Sequence, residues 1–320
     1  MHYQISSEKI ANPFLVELLK KLTVCFNEAG LTFYVIGATA RDIVMRLLTN
    51  ISSQRKTQDL DIAIAIPDWE MFEEVSSILL KVGIKKSQHQ HQRFFLDDYE
   101  LDIVPYGGVA KENDYIYWPP GKDITMSVKG FNEVLQEAIT VQIDGVFDIK
   151  IASLHGLFLL KFNAWIDRHL QTDKDAEDMC FILANYFDAN VDREFSSEKY
   201  YVVYDRDDFD VFLVGGIWIA YDLIRLLHPE QIDYYGKAIQ REIDRGETSI
   251  LINQIIEHKP SLSYDLVLKT WQEMAHIFNQ HKNEPKRKFK KPDEDLQRAI
   301  TGDELLAGIN EDLKSFFANN

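Results

Sequence analysis

At 320 residues, of which 46% are hydrophobic, the chain has ample material for a core and, by length, for two domains. A formal net charge of −16 opposes non-specific binding to nucleic acid, whose affinity comes mainly from Lys and Arg at phosphates, so a protein or small-molecule partner stays in play. No apolar stretch reaches membrane-spanning length, the opening residues lack a signal-peptide core, and Cys25 and Cys180 are too few and scattered for a disulfide framework or a zinc site; a cytoplasmic protein is expected.

In chain order, Phe14, Leu15, Leu18, Leu19, Leu22 and Phe26 recur at helical spacing and predict a helix that stops near Gly30. A strand over Leu31–Ile36 enters a Gly37 turn, and a short helix spans Arg41–Leu48. After the polar stretch Thr49–Gln58, Asp59–Ile66 reads as a strand closed by Pro67. Asp68 then caps a helix that buries Trp69, Phe72, Val75 and Leu79 and ends at Gly83. Gln88–Leu96 and Tyr99–Tyr106 form a hairpin turning at Asp97-Asp98, and Asp144-Gly145 is a plain hairpin turn. Beyond about Asp148 the period changes to helical, over Ser153–Ile166, Lys174–Tyr186, Gly216–Leu227 and Leu266–Phe278. The expected organisation is a catalytic α/β domain over 1–150, a helical domain over 151–291, and an acidic C-terminal tail over 292–320 that is either a short helix or disordered.

The chemistry-bearing residues sit in the first domain. Strand side chains alternate faces, so Asp59 and Asp61 point the same way while Leu60 and Ile62 enter the core. Like charges that close repel, and a fold tolerates them mainly with a cation between them. Asp102, flanked by Leu101 and Ile103, supplies a third carboxylate from a neighbouring strand. Three carboxylates and a Gly turn are what metal-assisted phosphoryl transfer needs: two Mg²⁺ ions (Mn²⁺ is the alternative) activate an attacking hydroxyl and stabilise a leaving pyrophosphate. In that reading Asp59 and Asp61 hold both metals, while Asp102 completes one site and helps deprotonate the acceptor hydroxyl. Backbone N–H groups from Gly37 to Ala40, Ala38 and Thr39 included, open onto a helix N-terminus and suit an NTP triphosphate, with Arg41 as a fixed positive charge beside it.

This pattern resembles the polymerase-β-type nucleotidyltransferase superfamily. Gly37-Ala38-Thr39-Ala40-Arg41-Asp42 is similar to the Gly-Gly-x-x-Arg-Asp turn of CCA-adding enzymes. Arg55-Lys56-Thr57-Gln58-Asp59-Leu60-Asp61 resembles the Arg-x-Thr-x-Asp-x-Asp segment of AbiEii-type nucleotidyltransferase toxins, and Lys161 followed by Lys174-Asp175-Ala176-Glu177-Asp178 resembles their later motifs. The likeness spans Tyr34 to Tyr186. It implies an α+β fold, with a mixed sheet and flanking helices followed by a mainly helical domain. It also implies NMP transfer from an NTP to an RNA or tRNA 3′ end, growth arrest or phage defence, and a cognate antitoxin protein. Lys161 would then reach the triphosphate, and Asp175 would act as a base or hold Lys161; by position alone Asp175 favours a helix dipole and Asp178 repeats an acidic face. Ala38 departs from the Gly or Ser usual at that turn position, where Thr39 is the nearest hydroxyl to substitute.

Several other features carry two readings. His89 and His91 share a strand face, as a metal pair or as hairpin surface, with Arg93 beside them. Asp205–Asp210 mimics a calcium loop but lacks its turn Gly and distal Glu, which leaves a helix-leading acidic run. Tyr117–Gly121 is either a substrate-facing loop or an aromatic–proline plug at a core edge, and Lys286–Lys291 is either a basic contact or a solvated linker. Two rival functions stand beside RNA modification: nucleotidylation of a protein hydroxyl, favoured by the acidic net charge, and a non-catalytic nucleotide-binding module, favoured by Ala38.

Overall fold

The computed structural model describes residues 2–10, 12–51, 59–111, 114–121, 125–195 and 197–284. The Arg55–Gln58 part of the motif, the basic run Lys286–Lys291 and the tail over 292–320 lie outside the described residues. The chain divides into two compact units, one drawn from Met1–Ile43 and Gln54–Ala152, the other from Val44–Ser53 and Ser153–Lys288.

The elements of the first part of the chain are β1 (His2–Ile5), α1 (Pro13–Glu28), β2 (Phe33–Ile36), α2 (Gly37–Thr49), β3 (Asp59–Ile66), α3 (Trp69–Lys81), β4 (Lys85–Lys86), β5 (Arg93–Leu96), β6 (Tyr99–Gly107), β7 (Tyr115–Tyr117), β8 (Thr125–Ser127), α4 (Phe131–Gln136), β9 (Ile139–Ile143) and β10 (Phe147–Ile151). Among the described residues, eight strands make one mixed sheet in the order β1-β9-β10-β2-β3-β6-β5-β4, and β7 and β8 form a separate pair. β3 is central: it runs antiparallel to β2 and parallel to β6. Its apolar residues Leu60, Ile62, Ala63, Ile64 and Ile66 are fully buried, whereas Asp59 and Asp61 are half-buried. The strand therefore alternates along its length except at Ala63, which is buried on the face that carries the two carboxylates.

Local signals explain the flanking helices. Asn12 caps α1 by accepting from the Phe14 N–H, with Pro13 opening the first turn, and Leu15, Leu18, Leu19, Leu22 and Phe26 are buried. Phe14, expected on that apolar face, is instead exposed, because it lies on the first turn outside the buried stripe. Asp68 caps α3 through the Met71 N–H, and Phe72, Val75, Ile78 and Leu79 are buried beneath it.

β5 starts only at Arg93, so His89 and His91 share no strand face. The Ser87 hydroxyl accepts from the N–H groups of His89 and Gln90, which draws that backbone into a turn instead of a ladder. His91 stacks on Trp118, at 6.2 Å between ring centroids. Trp118 is itself buried against Trp69 and Phe72, so the Tyr117–Gly121 loop plugs a core edge. Asp144 and Gly145 both hold positive φ (52° and 71°) in the tight turn joining β9 to β10.

The second unit is helical: α5 (Leu154–Arg168), α6 (Lys174–Asn190), α7 (Val211–Leu226), α8 (Pro229–Asp244), α9 (Ile250–His258) and α10 (Tyr264–His281). Asp210 caps α7 through the Phe212 N–H, and Asp208 pairs with Arg206 and Lys269; the acidic run is thus a helix lead-in. α7 is buried almost all round, and a Cβ at Gly215 would stand 2.4 Å from the Leu183 carbonyl oxygen, so only glycine admits this approach of α7 to α6. No helix among the described residues is long and apolar enough to cross a membrane.

Candidate active site

The parallel register of β3 and β6 sets Asp59 opposite Glu100 and Asp61 opposite Asp102. In-register residues of paired strands share a face, so four carboxylates stand in two rows on one side of the sheet. Sequence reasoning placed Asp59, Asp61 and Asp102 together and overlooked Glu100, although the period of two that joins Asp59 to Asp61 also joins Glu100 to Asp102.

Among these carboxylates sits one strong cation. The β5–β6 hairpin pairs Arg93 with Asp102. Its Nε donates to Asp102 Oδ1 at 2.8 Å and its Nη2 to Oδ2 at 2.7 Å, while Nη1 lies 2.6 Å from Glu100 Oε2. These hydrogen bonds to Asp102, joined by the charges of Asp102, Glu100 and Asp59, raise the guanidinium's proton affinity against the opposing effect of burial. The signal was available: a two-residue turn at Asp97-Asp98 pairs Leu96 with Tyr99 and, counting outward, Arg93 with Asp102. At the same end, burial pushes the Tyr99 phenol up to about 12, the charges of Asp59 and Asp61 add to this, and a hydrogen bond with Thr39 works the other way.

The glycine turn abuts the carboxylates. Ile36 pairs with Asp61, so Gly37 follows directly beside it at φ 71°, and a Cβ there would lie 2.1 Å from Asp61 Oδ2. Ala38 is buried. Thr39 is buried too, and its hydroxyl donates to the Asp59 carbonyl oxygen at 2.7 Å, tying the turn to β3. Arg41 is only 1% exposed, with Nε and Nη2 on Asp42 Oδ1 at 2.8 and 2.6 Å.

In the second unit, Lys161 on α5 faces two wholly buried carboxylates of α6. Its Nζ is 2.7 Å from Asp178 Oδ2 and 3.4 Å from Asp175 Oδ1. Asp178, expected only to extend an acidic face, is thus the nearer partner. Asp175 accepts at both oxygens from Arg168, at 2.7 and 2.9 Å, which places it as a structural partner of two cations. Spacing of three residues puts Asp175 and Asp178 on one helix face. A further buried cluster escaped sequence reasoning: Asp222 accepts from Tyr186, Tyr200 and Arg193. A lone acid within the apolar run of α7 was its signal.

The donor set of the first unit suits a hard divalent cation, since carboxylate oxygens are the ligands such ions take. Glycine at position 37 lets the Asp61 carboxylate lie against the turn, in space any side chain there would need. Yet among the described residues no three His, Cys, Asp or Glu side chains are gathered at a range that would hold a metal ion. Both oxygens of Asp102 accept from the Arg93 guanidinium. Asp59, Asp61 and Asp102 are all of the donor type such an ion takes, on two paired strands.

A family model described as the nucleotidyl transferase AbiEii toxin of type IV toxin–antitoxin systems matches residues 23–276. No curated protein matches the chain. Among solved structures, the crystal structure of ANT(2″)-Ia in complex with adenylyl-2″-tobramycin is similar at TM-score 0.35 and 16% identity, covering 52% of this chain and 86% of that one. The solution structure of the antibiotic-resistance factor ANT(2″)-Ia is similar at TM-score 0.32 and 14% identity, covering 56% of this chain and 88% of that one. Scores of this size do not align individual site residues.

Proposed function

Because the chain belongs to the AbiEii family of nucleotidyl transferase toxins, we propose that it moves a nucleoside monophosphate from an NTP onto an RNA hydroxyl, at a tRNA 3′ end, with release of pyrophosphate. The observation that carries this reading is the placement of Asp61 between Asp102, its partner across the β3–β6 register, and the Gly37 turn. Asp59 and Asp61 would hold Mg²⁺, or Mn²⁺, which when bound neutralises charge on the triphosphate; Asp102 is the third proposed ligand.

The other steps fall to the chain's own groups. Backbone N–H groups of Gly37, Ala38 and Thr39 lie at the N-terminal end of α2, where an anion is favoured, and are assigned to the triphosphate. Thr39 works through its bond to the Asp59 carbonyl, which fixes the turn against β3. Arg41, buried on Asp42, adds positive charge behind the turn. In the second unit Lys161 is assigned to NTP binding, with Asp175 and Asp178 holding it. A cytoplasmic toxin with a cognate antitoxin protein follows from the same reading.

The net charge of −16 favours a second reading, nucleotidylation of a partner protein's hydroxyl, because RNA approaching an acidic protein is repelled. One experiment separates the two. Each of the four α-labelled NTPs is incubated with Mg²⁺, purified protein, and either total tRNA or cell-extract protein, beside the Asp59→Ala/Asp61→Ala variant. Label on tRNA that the variant loses is the expected result. Label on protein moves the acceptor to the second reading, and label retained by the variant overturns the carboxylate assignment.

A further inference from the structure

We propose that Arg93 is a built-in counter-cation that holds Asp102 out of the metal site and passes to Glu100 when a divalent ion binds; this rests on the reading of Asp59, Asp61 and Asp102 as metal ligands. The geometry of the contact carries it. The guanidinium fork takes both oxygens of Asp102, at 2.8 and 2.7 Å, so each oxygen of the residue across the register from Asp61 is already held by a cation. An arginine stays protonated at any physiological pH, so Asp102 is released only by displacement, not by loss of the proton.

The displacement has a destination. Nη1 is already 2.6 Å from Glu100 Oε2, so Arg93 spans two carboxylates two residues apart on β6. A divalent ion drawing Asp102 away leaves the guanidinium on Glu100, and no charge is stranded in a half-buried site. Glu100 is the more exposed of the two acids, with its side chain at 40% against 14% for Asp102, and so is the cheaper place to keep an ion pair in water. The arrangement is fixed by the fold: the Asp97-Asp98 turn sets the hairpin register, and with it Arg93 opposite Asp102. Four carboxylates in two rows need positive charge among them, and Arg93 supplies part of it to Glu100 and Asp102.

The test is Mn²⁺ binding to the full chain without nucleotide, read from the electron paramagnetic resonance signal of free Mn²⁺. Arg93→Met should bind Mn²⁺ about tenfold more tightly than the wild type, the order expected from freeing one bidentate carboxylate. Arg93→Lys, which keeps the charge but cannot fork, should recover most of that gain. Glu100→Gln, which removes the destination, should weaken binding. Asp102→Asn placed on Arg93→Met should cancel the gain. Thermal unfolding of Arg93→Lys and Glu100→Gln confirms that each compared chain is folded.

Equal or weaker Mn²⁺ binding by Arg93→Met and Arg93→Lys overturns the proposal and leaves Arg93 as a strap on the hairpin. So does Arg93→Lys behaving as the wild type while Arg93→Met gains, since charge alone then accounts for the effect. If Asp59→Asn leaves Mn²⁺ binding unchanged, or if no chain binds the ion, the metal-ligand reading itself falls and takes this proposal with it.

Discussion

The Asp61 carboxylate fills the space where a side chain at Gly37 would stand: a Cβ there would meet Oδ2 at 2.1 Å and Cγ at 2.8 Å. The glycine is held at φ 71°, where an L side chain adds strain of about 1–2 kcal/mol. Gly37→Ala should therefore lower thermal stability by that order and, separately, push Asp61 off its position. The expected outcome is a folded protein at 25 °C whose nucleotidyl transfer is at least about tenfold down, the equivalent of 1.4 kcal/mol in the barrier. A variant with lowered melting temperature but wild-type transfer would detach the turn from the chemistry.

Thr39 offers a separate test of the same turn. Its hydroxyl is buried and donates to the Asp59 carbonyl oxygen at 2.7 Å. Thr39→Val keeps the shape and removes that bond, so urea denaturation should show a loss of about 1 kcal/mol, while Thr39→Ser should stay close to the wild type. If Val leaves the midpoint unmoved, the hydroxyl does not tie the turn to β3.

How far the sequence carried this picture depends on whether a signal was local. β3 was legible at both ends because alternation begins at Asp59 and Pro67 stops it, and α3 because Asp68 caps it. The Asp61–Asp102 partnership followed from two strands of matching pattern. β1 was not legible, since His2–Ile5 pairs with Thr140–Ile143, far along the chain, and four residues carry no period of their own. The strand expected from Gln88 failed because the Ser87 side chain competes for backbone N–H groups, which hydropathy does not register. Arg41 was legible as a charge at the turn, but its burial against Asp42 was not, because an arginine's sequence neighbours do not tell which way its long side chain lies.

The two cysteines give a pH prediction. Burial, with the Glu28 charge adding to it, pushes the Cys25 thiol from 9.0 up to about 12, and burial likewise takes Cys180 up to about 12. A raised thiol pKa means the folded state keeps the proton longer than the unfolded one. Its stabilising contribution is complete below pH 9 and is lost as pH climbs toward 12. Neither thiol should react with a disulfide reagent at pH 8 while the protein is folded, and both should react in denaturant. Melting temperature should hold from pH 7 to about 9 and then fall. Rapid native labelling of either thiol would contradict the burial on which both statements depend.

Lys161 allows structure and function to be separated by a pair of variants. Asp175 and Asp178 are both wholly buried, and Lys161 stands 2.7 Å from Asp178 Oδ2. Asp175 keeps Arg168 when Lys161 is removed, but Asp178 then loses its nearest cation. Breaking a buried pair from one side costs about 3–5 kcal/mol, so Lys161→Ala should unfold at markedly lower denaturant. Asp178→Asn added to it removes the buried negative charge that faced Lys161 and should recover at least half of that loss. The double variant is then stable enough to measure nucleotide affinity. If Lys161 binds the triphosphate, its affinity for NTP stays about tenfold or more below the wild type despite the recovered stability, the loss expected for one charge-assisted contact. Recovery of both stability and NTP affinity would make Lys161 a structural counter-ion of α6 and nothing more.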